Sequence, residues 1–455
     1  MFLKSINLKN SEEFLINQKV VKKLYLIFIL AKYAANRLLG NYIKAHYATL
    51  GYERIARTVD VWSQNSVISK INSSLIESLK NSNEDSDLLR EYLKSEEATV
   101  YRQEFKSYGI EHQIRLKYPK KDDTKIRQGD LLVLKPNLGE KEKGVILIQY
   151  NESLKKFASI FDIINLSKYY RFVLEPSTWG YCDPSILLFL GLCTDVIVQA
   201  QNYLDYEYIK SLNSNLIPLR LGAGDWIDSN RFCTGDPNLK KYDIVMVASW
   251  QKIKRHKLLF KSLKQLDDVR KVALIGYPCE GRLLEDIIVD AKKFDILERL
   301  EFFESIPRQE VAKIIRLSKI GVMLTIREGA NKGIYEYLFS NVPVIISSRN
   351  IGVNRDHINQ YTGLISDDHE LSSSINKMIG DFKKYNPRDW ALNHTGYQYA
   401  NNLLNESLKK LAFDNDEQWT QDIFMKKNDT NAVYVLEKQR ELADEAIIDL
   451  KRFLR

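Results

Sequence analysis

The sequence predicts an α/β chain in which two domains built on parallel β-sheets lie between a mainly helical N-terminal region and a helical C-terminal tail. Three observations carry this expectation. Short apolar runs alternate with helix-like segments from Leu131 to Leu219, and the alternation starts again at Tyr242 and runs to Ile346. Between the two series, Leu221-Gly222-Ala223-Gly224-Asp225 and then Pro237 interrupt the pattern. Before residue 125 and after residue 396, apolar residues recur at helical spacing instead.

Composition narrows the class. The chain has 455 residues, 44% hydrophobic and 28% charged, which is ordinary for a globular protein with two or three cores. Its net charge of +8 suits a phosphorylated ligand or an anionic membrane surface. No arginine-rich arm or zinc-finger spacing is present, so no nucleic-acid partner is expected. Cys182, Cys193, Cys233 and Cys279 lie far apart without a C-x-x-C, a pattern of reduced, mostly buried thiols in a cytosolic protein. The opening MFLKSINLKNSEEF has no secretory apolar core, and the run from Leu24 to Ala31 is stopped by Lys32, too early to span a bilayer.

The boundaries read 1–125 for the helical N-terminal region, 126–235 and 236–395 for the two Rossmann-like domains, and 396–455 for the tail packing back on them. Leu24 to Leu50 is apolar and aromatic with Lys32, Arg37 and Lys44 interspersed. It reads first as a core helix of a bundle, with an interfacial helix in peripheral contact with a membrane as the sharper alternative. Residues 53–80 and 86–108 continue with helical spacing, and 117–127 is a charged linker. The first domain offers strands at Leu131–Leu134, Val145–Ile148, Phe172–Leu174, Val196–Val198 and Ile217–Leu219, with helices at 152–164, 184–190 and 204–212 between the later ones. The second offers strands at Tyr242–Ala248, Val272–Ile275, Leu300–Phe303, Gly321–Leu324 and Val344–Ile346, with helices near 255–265, 283–295, 308–317, 332–340 and 368–382. The tail is helical with a polar break at KKNDTN.

One stretch of the second domain carries chemistry. After the strand Ile320–Leu324 come Glu328 and Gly329, then a helix whose first turns hold Lys332 and Glu336. In an open parallel sheet, a ligand sits at the carboxyl end of such a strand, beside the N-terminus of the next helix. Gly329 lets the backbone approach a ligand closely. The N–H groups of Ala330, Asn331 and Lys332 would point at an anion, with the Lys332 charge added. Glu336 can accept two hydrogen bonds from a ribose diol, and Glu328 can hold sugar hydroxyls or a developing positive charge. The same residues also make an ordinary strand–loop–helix connection with surface carboxylates.

With those residues in view, the second domain resembles the nucleotide-sugar-binding half of retaining GT-B glycosyltransferases, specifically family four. Members carry E-G-x6-E before a P-V-I strand; here that is Glu328-Gly329 through Glu336, then Val342-Pro343-Val344-Ile345. Glu301-Phe302-Phe303 with Pro307, Glu310 and Val311 matches the preceding strand–loop–helix, Ala273-Leu274-Ile275-Gly276 the central strand, and Ile227 to Phe232 the interdomain turn. The likeness runs from about Phe172 to Phe382 and omits the first 125 residues. It implies two Rossmann-like domains facing a cleft, with the acceptor on the first. The implied reaction moves a hexose, with retention, from a nucleotide-diphospho sugar to a saccharide, lipid-linked or protein-linked acceptor. For bacterial members the usual setting is cell-surface polysaccharide or glycoconjugate synthesis, in the cytoplasm or peripherally on the inner membrane face.

Two departures from the family stand out. The usual G-R-x4-K places its lysine on Lys254 and its arginine on Ser249, which leaves Arg255, His256 or Lys332 to supply the second phosphate contact. Lys252, Lys254, Arg255 and Lys257 also cluster at a strand end, where they would hold a phosphate or simply form a solvated basic helix start. No histidine lies between residues 113 and 255, where many members keep one near the transferred sugar. Glu175, in Glu175-Pro176-Ser177-Thr178-Trp179-Gly180-Tyr181, is the candidate to orient or deprotonate an acceptor hydroxyl, with Trp179 and Tyr181 stacking on a sugar. The family's glycine-rich loop reduces to Gly139 and Gly144, a candidate hairpin tip. The D-x-D matches, Asp85-Ser86-Asp87 and Asp414-Asn415-Asp416, follow no convincing strand, so neither a metal nor another cofactor is expected. A non-catalytic nucleotide-sugar-binding or scaffold subunit is the competing reading.

Overall fold

The computed structural model describes residues 28, 31, 32, 34, 35, 87–107, 130–139, 141–177, 185–266, 271–326, 328, 332–428 and 432–455. The helix expectations at 24–50 and 53–80, the linker at 117–127, Trp179, Tyr181 and Cys182 lie wholly or largely outside them. Among the described residues, no helix is long and apolar enough to cross a membrane.

Among the described residues, a few helical positions at 28–35 precede α1 (Asp87–Leu93) and α2 (Glu96–Ser107). The first sheet contains β1 (Leu131–Lys135), β2 (Gly144–Gln149), β3 (Tyr170–Glu175), β4 (Val196–Gln199) and β5 (Leu216–Leu219), arranged in that order. Between them lie α3 (Asn151–Ile160), α4 (Ile163–Leu166) and α5 (Tyr203–Ser211). The expected helix at 184–190 is a 3₁₀ turn, Ile186–Phe189.

The first sheet is mixed, not wholly parallel. β1 runs antiparallel to β2, and the remaining pairs are parallel. The link between β1 and β2 is too short for a crossover, so it closes as a hairpin; Gly139, with φ 127°, sits in its tip. The strands then follow one another in space as in sequence. Right-handed crossovers between such neighbours put their helices on one face. On that face, Ile146, Ile148, Phe172, Leu174, Val196 and Val198 pack with α3, α5 and the first two helices.

The opposite face, Val145, Leu147, Val173 and Ile197, is covered by the C-terminal tail. α12 (Tyr397–Asp414) places Ala400, Leu404 and Leu408 against it, followed by Ile423 and Ala432. The start of the polar break, Lys426–Asn428, is a strand: β12 (Lys426–Asn428) pairs antiparallel with β13 (Ala432–Tyr434). α13 (Glu437–Asp449) then returns to the helical face, where Ala443, Ala446, Leu450 and Phe453 join the core. Buried charges fasten the tail. Arg171 reaches Glu417 at 2.9 Å and the Leu411 carbonyl at 3.2 Å. Glu142 accepts from Lys135 Nζ at 2.6 Å and from the backbone and hydroxyl of Thr420 at 2.7 Å each. Burial alone would raise the Glu142 carboxyl, but those bonds outweigh it and hold it down at about 2.

The second sheet is wholly parallel, in the order β11-β10-β9-β6-β7-β8. Its strands are β6 (Tyr242–Val247), β7 (Val272–Gly276), β8 (Leu300–Glu304), β9 (Ser318–Met323), β10 (Val344–Ser347) and β11 (Gly363–Ser366). Helices α6 (His256–Leu263), α7 (Leu284–Lys293) and α10 (Leu371–Asp381) cover one face. α8 (Arg308–Arg316), α9 (Lys332–Phe339) and α11 (Pro387–His394) cover the other. The chain builds outward from β6 through β8, then returns to β9 on the other side of β6 and builds outward again. The direction switches between β6 and β9, which is where such sheets open a ligand crevice. Gly321 in β9 fits this junction closely: a Cβ there would lie 2.7 Å from the Tyr337 ring. The Tyr337 hydroxyl in turn accepts the Val247 N–H at 2.8 Å, which ties α9 to the end of β6.

The cysteine expectation is corrected in one respect. Cys193, Cys233 and Cys279 are free thiols as predicted, but the first two are exposed and the third half-buried, because they lie in turns between elements.

The tail's role in closing the first domain can be measured. Leu404 is fully buried in the layer between α12 and the sheet. Leu404→Ala should lower unfolding stability by about 2–5 kcal/mol, seen as a lower urea midpoint. An unchanged midpoint would mean that the tail does not hold this face.

Candidate functional site

A cleft of about 910 Å³ opens at the switch point of the second sheet. The ends of β6 (Val247, Ala248, Ser249), β7 (Ile275, Gly276, Tyr277) and β9 (Met323, then Glu328) form its floor. The starts of α8 (Arg308) and α9 (Lys332, Gly333, Glu336) form one side. Ile227, Asp228 and Arg231 of the interdomain turn, with Asn428 of the tail hairpin, face them.

Glu328 is largely enclosed, 8% exposed. Its Oε1 accepts from Lys254 Nζ at 2.6 Å and from Thr325 Oγ1 at 2.8 Å, and its own N–H donates to Ile351 O at 3.1 Å. The structure therefore brings Glu328 and Lys254, 74 residues apart, into one ion pair on the cleft floor. Ser249 also lines the cleft; its Oγ donates to Gln251 Oε1 at 3.1 Å. Glu336 sits in the second turn of α9 and borders the same space. Burial pushes its carboxyl up, and the charges of Arg308 and Lys332 partly offset that. Gly329, Ala330 and Asn331 lie outside the described residues.

The other predicted residues take different places. Arg255 adopts φ 64° between a 3₁₀ turn (Lys252–Lys254) and α6, which directs its side chain across the sheet edge and away from the cleft. Its guanidinium bonds to Leu324 O and Ser347 Oγ, both at 3.2 Å, and to Asp368. His256 is buried beside Trp250 and Phe260, with neither ring nitrogen hydrogen-bonded. Burial first, then Arg282 and Lys254, pushes its pKa down to about 3, so it stays neutral and makes no phosphate ligand. Lys257 pairs with Asp290. The basic run is thus shared among separate carboxylates and does not form one cationic cradle.

Glu175 ends β3 as predicted but does not line this cleft. It is buried, accepting from Gln149 Nε2 at 2.5 Å and from Lys426 Nζ at 2.7 Å. The second D-x-D match ends α12, with Asp416 in the left-handed region, which is loop geometry. A separate buried network ties the two domains together. Asp225 accepts from Thr395 Oγ1 at 2.6 Å and Gly222 N at 2.9 Å, while Tyr335 and His357 meet at 3.0 Å beside it. Burial raises Asp225 to about 6 and lowers His357 to about 4.

Sequence reasoning missed Arg231, Tyr277, Arg308 and Asn428. Arg308 follows the Pro307 that marks the strand–loop–helix, so its place at a helix start was in reach. Asn428 had no local signal, because only the return of the tail brings it to the cleft.

Residues 234–390 match the family described as Glycosyl transferases group 1. The second domain is a glycosyl transferases group 1 domain. The chain has two Rossmann-like domains and a tail that returns to the first. Among solved structures, Anabaena HepE in complex with UDP is 13% identical, with 60% of this chain and 79% of that chain covered at a TM-score of 0.47. Sucrose-phosphate synthase from Thermosynechococcus elongatus is 15% identical, with 60% and 74% covered at 0.46. The lipopolysaccharide outer core galactosyltransferase WaaB is 14% identical, with 57% and 71% covered at 0.43. No curated protein sequence matches the chain.

The buried histidines set a pH dependence. Both have folded pKa values below the ordinary 6.5, so their contribution to stability is complete above that pH and is lost as pH falls through about 4 and 3. Asp225, raised from 3.8 to about 6, acts oppositely, since it favours the folded state at lower pH. The melting temperature should therefore fall between pH 6.5 and 4.5, and fall less in His256→Phe, which removes no hydrogen bond. Equal slopes in the two proteins would contradict a neutral, enclosed His256.

Proposed function

We propose that the chain is a retaining glycosyltransferase that moves a hexose from a nucleotide-diphospho sugar to a hydroxyl of a saccharide or lipid-linked acceptor. The observation that carries the reading is the convergence of Lys254, Glu328, Lys332 and Glu336 on one cleft at the switch point of the second sheet. In this reading Glu336 holds the ribose and Glu328 the donor sugar. Lys254, with Ser249 beside it, and Lys332 at the start of α9, with the N–H groups of Gly329, Ala330 and Asn331 that precede it in sequence, neutralise the departing diphosphate. As transfer proceeds, the bond from the anomeric carbon to the phosphate oxygen breaks and a bond to the acceptor oxygen forms, with release of the hydroxyl proton. Retention follows from the family resemblance.

The reading calls for no metal or other cofactor, because lysines and helix N–H groups take the charge. It places the chain in the cytoplasm, with peripheral contact to an inner membrane face during surface polysaccharide or glycoconjugate synthesis. The engagement of Arg255 with Asp368, and of Ser249 with Gln251, favours one rival: a non-catalytic subunit that binds a nucleotide sugar without transferring it. Turnover separates the two.

Binding and hydrolysis should be measured across a panel of nucleotide sugars without added metal. One donor should bind, and Glu336→Ala and Lys254→Ala should each weaken it by about tenfold or more, the loss expected for a charge-assisted hydrogen bond. Unchanged affinity in both variants would remove the site. Binding without turnover, with every acceptor tried, would favour the subunit reading.

A further inference from the structure

A second pocket lies on the helical side of the first domain, at the amino edge of its sheet. It encloses about 540 Å³ between α1, the short α4 and the end of the tail, and it is open to solvent. Its position follows from β2 and β3. Lys168 lines the pocket, and the next residue, Tyr169, accepts the Gly144 N–H at the start of β2 at 2.9 Å. Roughly 17 Å of strand separates Tyr170 from Glu175 at the other end of β3. A small ligand held here does not touch the donor cleft.

The lining is charged, and unevenly so. Arg90, Lys168 and Arg455 surround Asp162, the one carboxylate among the described lining residues. The fold fixes one of these cations. Arg455 donates its backbone N–H to Ile160 O at 2.9 Å, its Nε to Phe161 O at 3.0 Å and one terminal nitrogen to Asp162 Oδ1 at 3.4 Å. Its side chain is 26% exposed, and the second terminal nitrogen makes no bond. Arg102, held by Leu93 O and Thr99 Oγ1 at 3.0 Å each, lies close enough to oppose the Arg455 charge.

The fold makes no use of the other two. Arg90 and Lys168 are exposed, and among the described residues neither side chain has a hydrogen bond or an ion pair. Other cations of this domain are paired: Lys135 with Glu142, Lys155 with Glu97 and Arg171 with Glu417. Three cations gathered on one loosely held carboxylate repel one another, and an anion between them removes that cost. Arginine forks and a lysine ammonium are the donors that suit phosphate oxygens. Beside them the surface turns apolar, with Leu93 in the lining and Ile164 38% exposed.

We propose that this pocket binds the phosphate group of an organic phosphate, held by Arg90, Lys168 and the free end of Arg455, with its carbon portion against Ile164 and Leu93. A soluble phosphomonoester and a phospholipid headgroup share this chemistry. A neutral sugar would leave the cations unpaired, and a cation would meet three like charges with only Asp162 to attract it. The site is independent of the glycosyltransferase reading, because no residue of the donor cleft takes part.

Two probes separate the sources. Calorimetry on the full chain would use glycerol phosphate, with glycerol as the uncharged control. Flotation would use phosphatidylcholine vesicles with and without phosphatidylglycerol. Both would be run on wild type, on Arg90→Gln/Lys168→Gln and on Lys254→Ala, which weakens any phosphate binding in the donor cleft. Arg90 and Lys168 make no bond in the fold, so the double variant should keep the wild-type melting temperature. At least one phosphate probe should bind wild type and Lys254→Ala alike, and should bind less tightly as salt is added. Binding should fall by about tenfold or more in the double variant, while nucleotide-sugar Kd there stays within about twofold. Glycerol phosphate binding would identify a soluble ligand, and binding of the anionic vesicles alone would identify a lipid headgroup; either supports the site. Three outcomes each overturn it: neither probe binds wild type, the double variant binds as well as wild type, or binding is lost only in Lys254→Ala.

Discussion

The first sheet cannot bury both of its faces with its own helices. Strands β2 to β5 are neighbours in space in the order they are made, and right-handed crossovers send every connecting helix to one side. The other side is as apolar as a core, so something from elsewhere in the chain must cover it. The tail does so with α12, and then with the hairpin of β12 and β13. That single requirement explains the buried Arg171–Glu417 pair, the enclosed Glu142 and the deep ammonium of Lys426. Each replaces water around a charge that the covering segment has trapped, and each needs a partner to remain ionised there.

The same return of the tail shapes the functional region. Asn428 and Lys427 reach the interdomain turn, where Asn428 Nδ2 donates to Ala223 O at 3.0 Å and Lys427 pairs with Asp228 at 2.8 Å. Asp228 and Asn428 both border the cleft, so its wall opposite α9 is made partly from residues near the end of the chain. The second domain needs no such help. Its strand order builds a complete two-sided sheet, and its crevice follows from the reversal between β6 and β9. One domain therefore presents a site by topology alone, and the other depends on a distant segment.

Electrostatics around the cleft are local. A sequence count of lysine and arginine between residues 252 and 257 suggests one strongly positive patch. In the fold those cations separate: Lys254 pairs with Glu328, Arg255 with Asp368 and Lys257 with Asp290. Only Lys254 of these lines the cleft, where Arg231, Arg308 and Lys332 join it from other elements. A left-handed residue at Arg255 is enough to part neighbours in sequence by turning one side chain to the far side of the strand end.

Much of this was legible in the residues themselves. Apolar runs such as Val145–Ile148 and Val272–Ile275 are buried on both faces, and nothing but a strand of an α/β sheet accounts for them beside helical segments. The meeting of Glu328 and Glu336 at one strand end was also readable, because strand, loop and helix are contiguous and their geometry is set by short-range sterics. What the sequence could not settle were long-range pairings. The antiparallel turn of β1, the enclosure of His256, the diversion of Arg255 and the seating of Lys426 on Glu175, 251 residues away, follow from which faces remain uncovered once the sheets exist. Local pattern fixes the elements, because backbone and side-chain preferences act over a few residues. The partners of buried charges are decided only by packing, because desolvation depends on everything that closes around them.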